Sequence, residues 1–484
     1  MALFIIGLVV LLVGGHFYSK YVEDQIGIDD RETPAISKAD GIDFVAMPKW
    51  KNWLINLLNI AGTGPILGPI QGALFGPIAF IAIPIGCVIA GATHDFLVGT
   101  ISMRNGGAQV PRLVGKYLGN GTRKVYNVVI AVLLLLTGTV FVYTPGDLIA
   151  SDLMSLPDGS NVIWIIYGVI FLYYILSTVL PIDQLIGRIY PLFGAFLIIS
   201  AFGVLVGILL KGGDHLAFQG AGLLAEHPTG QKFIPAFFIT VACGILSGFH
   251  GSQVTLVSRT VSSEREARAT FYTTMIAEGL IAMIWAAGAI VVLSQGIVPM
   301  DTRATLMVGE ISRHFMGKVG GLLAIIGVIV LPITSGDTAF RSLRLIVAEE
   351  LNIDQKVPAK RIGIAAVLFI PAIFLLYWAK SNPNGFNMLW RYFGFTNQLV
   401  ALFALATATS FLLYNAKNYF IALVPGIFYT FIVFSFILYD KAVGFGIDYT
   451  TSLIIGGVIA IAYAFAVVKK SQKNKDRIAN IILQ

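Results

Sequence analysis

The chain has 484 residues, 56% of them hydrophobic and only 12% charged, about half the charge share of a soluble domain. Its net charge of +7 is thin and scattered, and both cysteines, Cys87 and Cys243, lie in apolar runs. These features exclude an ordinary cytosolic enzyme, a disordered chain, a nucleic-acid binder and a disulfide framework, and leave an all-α polytopic membrane protein.

A helix crossing the hydrocarbon core needs roughly 20 apolar residues. Thirteen stretches qualify: about 2–19, 53–76, 77–101, 125–145, 162–181, 187–210, 233–257, 270–294, 319–340, 361–380, 388–414, 419–439 and 451–468. The first has neither a basic flank nor a small-residue cleavage site, so it reads as an uncleaved span. Roughly three-quarters of the 33 Lys and Arg fall in one alternate set of loops. That set includes Lys20, Arg104, Arg188, Arg259, Lys356, Lys417 and the tail with Lys475 and Arg477; the other holds Lys211, Arg303 and Lys380. The asymmetry places the N-terminus outside and the C-terminus inside, with the basic tail against an anionic lipid surface. The loop 146–161 carries Asp147, Asp152 and Asp158 without Lys or Arg, as an outside loop should.

Two spans are interrupted. The second contains Asn59-Ile60-Ala61-Gly62-Thr63-Gly64-Pro65-Ile66-Leu67-Gly68-Pro69. Proline removes a helix donor and glycine weakens a helix interior, which predicts unwinding near 62–65. The seventh contains Cys243-Gly244-Ile245-Leu246-Ser247-Gly248-Phe249-His250-Gly251-Ser252-Gln253, with a break expected near 247–252. Small residues also serve close helix packing. Two breaks at matched places point to a transporter site lined by unwound backbone. Each break opens a set of five spans, and an odd set inverts the second. The expected architecture is therefore a 5+5 inverted-repeat core. Residues 1–52 form a first helix and cytoplasmic loop, 53–210 and 233–414 the two repeats, and 415–484 two extra helices and the basic tail.

Half-helix N-termini at such breaks offer free N–H groups and a positive dipole end to a carboxylate. Gly62, Thr63, Gly64 and Pro65, with Phe249, His250, Gly251, Ser252 and Gln253 opposite, are the candidate substrate contacts. Ionisable groups at membrane depth are functional candidates by default. Asp95 either takes a proton, fixes the tautomer of His94, pairs with Arg104 or caps a helix at the membrane boundary. His250 reads as a substrate or proton contact or as a core histidine. Glu278 is either a proton carrier or a partner of His250, and Asn397 is a further buried polar group.

The stretch from Asn59 to Lys116 resembles the carbon starvation protein A family. The resemblance rests on the Asn59–Pro69 block, on Ala90-Gly91-Ala92-Thr93-His94-Asp95-Phe96 and on Ser102-Met103-Arg104-Asn105-Gly106-Gly107. Leu331-Pro332-Ile333-Thr334-Ser335-Gly336-Asp337-Thr338 and Phe393-Gly394-Phe395-Thr396-Asn397-Gln398 resemble its later blocks. The resemblance covers roughly 40–415 and fits the family's shorter members. It implies a multi-pass inner-membrane secondary transporter with a fold similar to the amino acid–polyamine–organocation, or leucine-transporter, architecture. Members take up peptides under nutrient stress, and some take up pyruvate with protons. Sodium-coupled members of that architecture hold an ion between small hydroxyls and carbonyls of the first broken helix. Carried over, Thr334 and Ser335 become candidate sodium ligands with the Ala61 and Gly64 carbonyls, while Asp337 and Thr338 lie beside them and Asp337 offers a proton site instead. The alternative is a helix N-cap at Ser335 or Asp337.

The expected function is import of small peptides coupled to a proton or sodium gradient, with symport of pyruvate or another small carboxylate as the runner-up and a gated channel as the reading of another class. No HExxH, GxSxG or GxxxxGK[ST] motif is present, so protease, esterase and ATP-driven readings carry no support. No cofactor beyond a sodium ion is expected, and the oligomeric state is left open.

Overall fold

The computed structural model describes residues 1–473, apart from 42, 158, 180–182, 219, 221 and 355–356, with backbone alone at 178–179, 183–191 and 193. Asp158, Lys356, Lys475, Arg477 and the side chain of Arg188 lie outside the described residues. The described chain is helical, with a single β-bridge between Met47 and Val261.

A helix occupies each of the thirteen apolar stretches. The first three are α1 (Ala2–Ile26), the pair α2 (Lys49–Ile60) and α3 (Gly64–Phe75), and α4 (Ala79–Arg104). After the short α5 (Val110–Leu118) come α6 (Asn120–Leu153), α7 (Val162–Val179) and α8 (Asp183–Lys211). The seventh stretch divides into α9 (Phe233–Thr240) and α10 (Gly248–Val257). The remainder are α11 (Glu264–Ser294), α12 (Ala304–Glu350), α13 (Pro358–Ser381), α14 (Gly385–Tyr414), α15 (Phe420–Tyr439) and α16 (Tyr449–Lys473). Among the described residues ten helices are long and apolar enough to cross a membrane, and the α2–α3 pair makes eleven. The two stretches outside this count are α7, whose described side chains end at residue 177, and the divided α9–α10 segment.

The break in the second span follows its chemistry. Ala61 leaves helical geometry at φ −83°, ψ 58°, and α3 restarts with Pro65 in its first turn, where a missing N–H costs nothing. The two halves meet at 51°. Gly64, Gly68 and Gly72 then share one face of α3. A Cβ on these glycines would lie 2.3 Å from Cys243 Cβ, 2.8 Å from the Thr240 carbonyl and 2.4 Å from Val241 Cγ2. The glycine stripe lets α3 press onto the backbone of the other broken span.

In that other span the break precedes the expected 247–252. Gly244 adopts φ 101°, which favours glycine, and Leu246 and Ser247 are extended. Helix α10 has resumed by Gly248, so His250, Gly251, Ser252 and Gln253 are helical rather than unwound. Gly248 and Gly251 serve packing: a Cβ on the first would meet the Asn397 carbonyl at 2.3 Å, and one on the second would lie 3.3 Å from Val110.

Two further expectations are corrected. Helix α6 continues past residue 145 to Leu153 and buries Asp147, because cationic side chains and a hydroxyl from other helices meet its carboxylate. Helix α12 passes unbroken through Thr334–Thr338, its single non-helical residue being Gly317 at φ 69°; the N-cap reading of Ser335 and Asp337 is excluded. Helices α12 and α14 pack along α6, α11 lies against α3, and α10 lies against α4. Loops assigned to one face meet one another: Arg104 pairs with Glu264 at 2.6 Å and Arg265 with Asp30, whereas Lys380 and Arg303 meet at the other end.

Candidate functional site

The two breaks touch. Gly64 sits on Cys243, and the ring of Phe141 from α6 joins Gly62 to Phe249. A Cβ on Gly62 would lie 3.2 Å from the Phe141 ring, which meets Phe249 edge-on at 6.4 Å between centroids. A Cβ on Gly336 of α12 would lie 3.1 Å from Phe141 Cβ. Phe141 thus stands between both breaks and α12, a place no sequence signal marked. The Thr63 and Ser335 hydroxyls are buried and have no hydrogen-bond partner among the described residues. Ala61 closes α2 through its N–H to Leu57 O at 2.8 Å.

Asn397 holds the second break in shape. Its Oδ1 accepts the Phe249 N–H at 2.8 Å, and its amide donates to the Ser247 hydroxyl at 3.0 Å. A side chain from α14 therefore caps the first turn of α10, where an orphan donor would otherwise be buried.

Beside the breaks lies a line of ionisable side chains with almost no solvent exposure. Asp95 Oδ1 accepts from His94 Nδ1 at 2.8 Å, and its Oδ2 accepts from His250 Nδ1 at 3.0 Å. His250 Nε2 faces Glu278 Oε2 at 3.3 Å. The line joins α4, α10 and α11. Asp95 does not meet Arg104, which is held by Glu264; Glu278 is the neighbour of His250. Among the described residues no group of three or more His, Cys, Asp and Glu is arranged to hold a metal.

The cation candidates on α12 are spread differently. Thr334 Oγ1 donates back to Leu331 O at 2.9 Å and Thr338 Oγ1 to Thr334 O at 3.3 Å. Asp337 accepts from the Ser177 hydroxyl of α7 and pairs with Arg341 at 3.1 Å. A carboxylate so engaged is an ion-pair partner rather than an open proton site.

Cavities open on the basic end. One of 840 Å³ is lined by Lys38, Gln109, Arg112 and Arg259. A second of 310 Å³, also touching Gln109 and Arg259, reaches Ser252, Thr255 and Thr338. Ser252, which lines this cavity, donates to Phe249 O at 2.7 Å and accepts from Gln253 at 3.1 Å. At the opposite end Asp147 bonds Lys380 at 2.7 Å, Thr305 at 2.6 Å and Arg303 at 3.4 Å, beside a cavity of 370 Å³ lined by Tyr143, Arg303 and Lys380. The sequence places Asp147 in an outside loop after a span ending at 145, so no partner for it is expected there.

The fold and the sequence have counterparts. At 11% identity and a TM-score of 0.57, 91% of the chain superposes on 99% of a crystal structure of the Eremococcus coleocola manganese transporter, determined with an aromatic bis-isothiourea compound; the likeness is one of fold. A Haemophilus influenzae protein described as an uncharacterized membrane protein is 40% identical over 57% of this chain and 87% of its own length. The Campylobacter jejuni protein named peptide transporter CstA is 24% identical over 87% of this chain and 77% of its own, and the Escherichia coli protein of that name is 23% identical over 86% and 77%. Both broken helices and the buried ionisable line fall inside residues 1–166, 146–315 and 302–435, where the chain matches the model of carbon starvation protein CstA; this multi-pass transport protein belongs to that family.

Proposed function

We propose that the protein is a secondary transporter that imports small peptides, coupled to a proton or sodium gradient, with the substrate held between the two breaks. The observation that carries this reading is the meeting of the breaks at Gly64 and Cys243, with Phe141 between Gly62 and Phe249. The positive dipole ends of the half-helices α3 and α10 suit the carboxylate of a zwitterionic ligand, and relatives named peptide transporter CstA support the substrate class. The reading takes residues 53–210 and 233–414 as inverted repeats in a cytoplasmic membrane, with the basic end inside. On this reading the Asp147 network is the gate on the outer side, and the basic-end cavities are the inner route.

Pyruvate symport is the second reading, since a small carboxylate uses the same N–H groups. Sodium coupling draws support from the unpartnered Ser335 hydroxyl, which with Thr334 would face the Ala61 and Gly64 carbonyls. Equilibrium binding of labelled di- and tripeptides and pyruvate to the purified protein tests the site. Peptide binding that is lost in Gly64→Leu is expected. Undiminished binding by that variant would remove the assignment, and binding of pyruvate alone would replace the substrate.

A further inference from the structure

The buried line His94–Asp95–His250–Glu278 poses a counting problem in protons. An ionised carboxylate only accepts hydrogen bonds. With Asp95 ionised, both imidazoles turn Nδ1–H toward it, at 2.8 and 3.0 Å. Neutral His250 then presents the bare lone pair of Nε2 to Glu278 Oε2, 3.3 Å away. Two lone pairs at that distance repel, and among the described residues both Glu278 oxygens and the His250 and His94 Nε2 atoms have no other hydrogen-bond partner. One further proton, on His250 Nε2 or on Glu278, turns the repulsion into attraction. It also leaves one net negative charge in place of two in a site without solvent access.

We infer that Glu278 and His250 hold one exchangeable proton between them, and that this proton is the coupling ion of the transport reaction. The inference rests on the symport reading and names its ion.

The surroundings fit a site that loads and empties. Asp95 and His94 belong to α4, His250 to α10 and Glu278 to α11, so the proton binds where three helices meet. Cys87 on α4 and Cys243 in the break are the other titratable groups within electrostatic reach, and Tyr272 and Tyr429 lie beyond Cys87. Among the described residues, the charged groups that act on Glu278 and His250 are each other and Asp95, with no Lys or Arg, so a proton supplies the positive charge that neutralises the second carboxylate. A Cβ on Gly251 would lie 3.8 Å from His94 Cε1 and 3.3 Å from Val110. Val110 lines the 310 Å³ cavity on the basic end. The line therefore ends one side chain away from that cavity, and its other end adjoins the break that receives the substrate. Moving α10 against α4 and α11 changes the His250 contacts on both sides, which ties proton occupancy to the transport cycle.

Two measurements on the full-length protein test this. Infrared difference spectra of wild type across a pH step are expected to show a buried carboxylic C=O stretch that is missing in Glu278→Gln. In proteoliposomes, Glu278→Gln is expected to keep exchange of alanyl-alanine between equal pools. Its accumulation driven by an inward proton gradient is expected to fall by roughly 5- to 150-fold, the usual range for coupling between two sites. A wild-type spectrum with neither a titrating buried carboxyl nor a titrating imidazole band that is lost in His250→Gln would overturn the proposal, even if Glu278→Gln does not fold. So would normal proton-driven accumulation by Glu278→Gln. Absence of alanyl-alanine exchange by wild type would strike the peptide reading instead, while the infrared band still decides the proton site.

Discussion

Gly64 faces Cys243 so closely that a Cβ on the glycine would sit 2.3 Å from the Cβ of the cysteine. The two broken spans are in contact at the residues that interrupt them. Gly64→Ala is expected to destabilise by about 1–3 kcal/mol through overpacking and to reduce transport. Removing the opposing side chain with Cys243→Gly should recover part of both losses. Thermal melts and uptake on the two single variants and the double variant check this; losses that simply add would show that the contact is not the cause.

Asn397 supplies an acceptor to the Phe249 N–H. Asn397→Leu leaves that donor buried and unpaired, and should cost about 1–3 kcal/mol. Asn397→Asp keeps the acceptor and should recover most of the loss of the Leu variant in a thermal melt. Equal melting of all three proteins would contradict the capping role.

Lys380 and Asp147 pair at the end opposite the basic cavities. Asp147→Asn leaves Lys380 and Arg303 without their carboxylate and should shift the population toward opening at that end by about tenfold or more. Tyr143 lines the 370 Å³ cavity there, beside Arg303 and Lys380. A Tyr143→Cys reporter should react faster with an impermeant thiol reagent when Asp147→Asn is also present. An unchanged labelling rate would mean that the network only stabilises the fold.

His227, in the loop before α9, packs on Phe75 with ring centroids 4.7 Å apart, and its Nδ1 accepts the Thr229 N–H at 3.2 Å. Burial first, then the Arg391 charge, pushes its pKa down to about 4 from 6.5. Above pH 6.5 the histidine is neutral in both folded and unfolded chains. As pH falls toward 4 the unfolded chain takes up the proton first, so stability drops across that window by on the order of 2–3 kcal/mol. His227→Gln should flatten this part of a stability-against-pH curve; an identical slope in the variant would place the dependence elsewhere.

Much of this architecture is written in local chemistry. Ala61–Pro65 break the second span because glycine and proline act within one turn. The second break was displaced because Gly244, Gly248 and Gly251 look alike in sequence, whereas Gly244 turns the chain at φ 101° and the other two make room for neighbours. Asp147 and Asp337 read as loop or ion-site residues, since their partners Lys380, Ser177 and Arg341 come from packing or from a helix whose continuity the sequence left open. The pairing of His250 with Glu278 was one of two readings until α10 and α11 were placed side by side. Phe141 carried no signal at all, because an aromatic in an apolar helix is the ordinary content of a span.

Uphill accumulation by the purified wild-type protein in proteoliposomes is the most direct measurement. Labelled di- and tripeptides and pyruvate are each offered with an inward proton gradient, an inward sodium gradient or neither. Peptide accumulation above the outside concentration, with the proton gradient and not with the sodium gradient alone, is the expected result. Equilibration that never exceeds the outside concentration under any gradient would contradict secondary active transport and point to a gated channel.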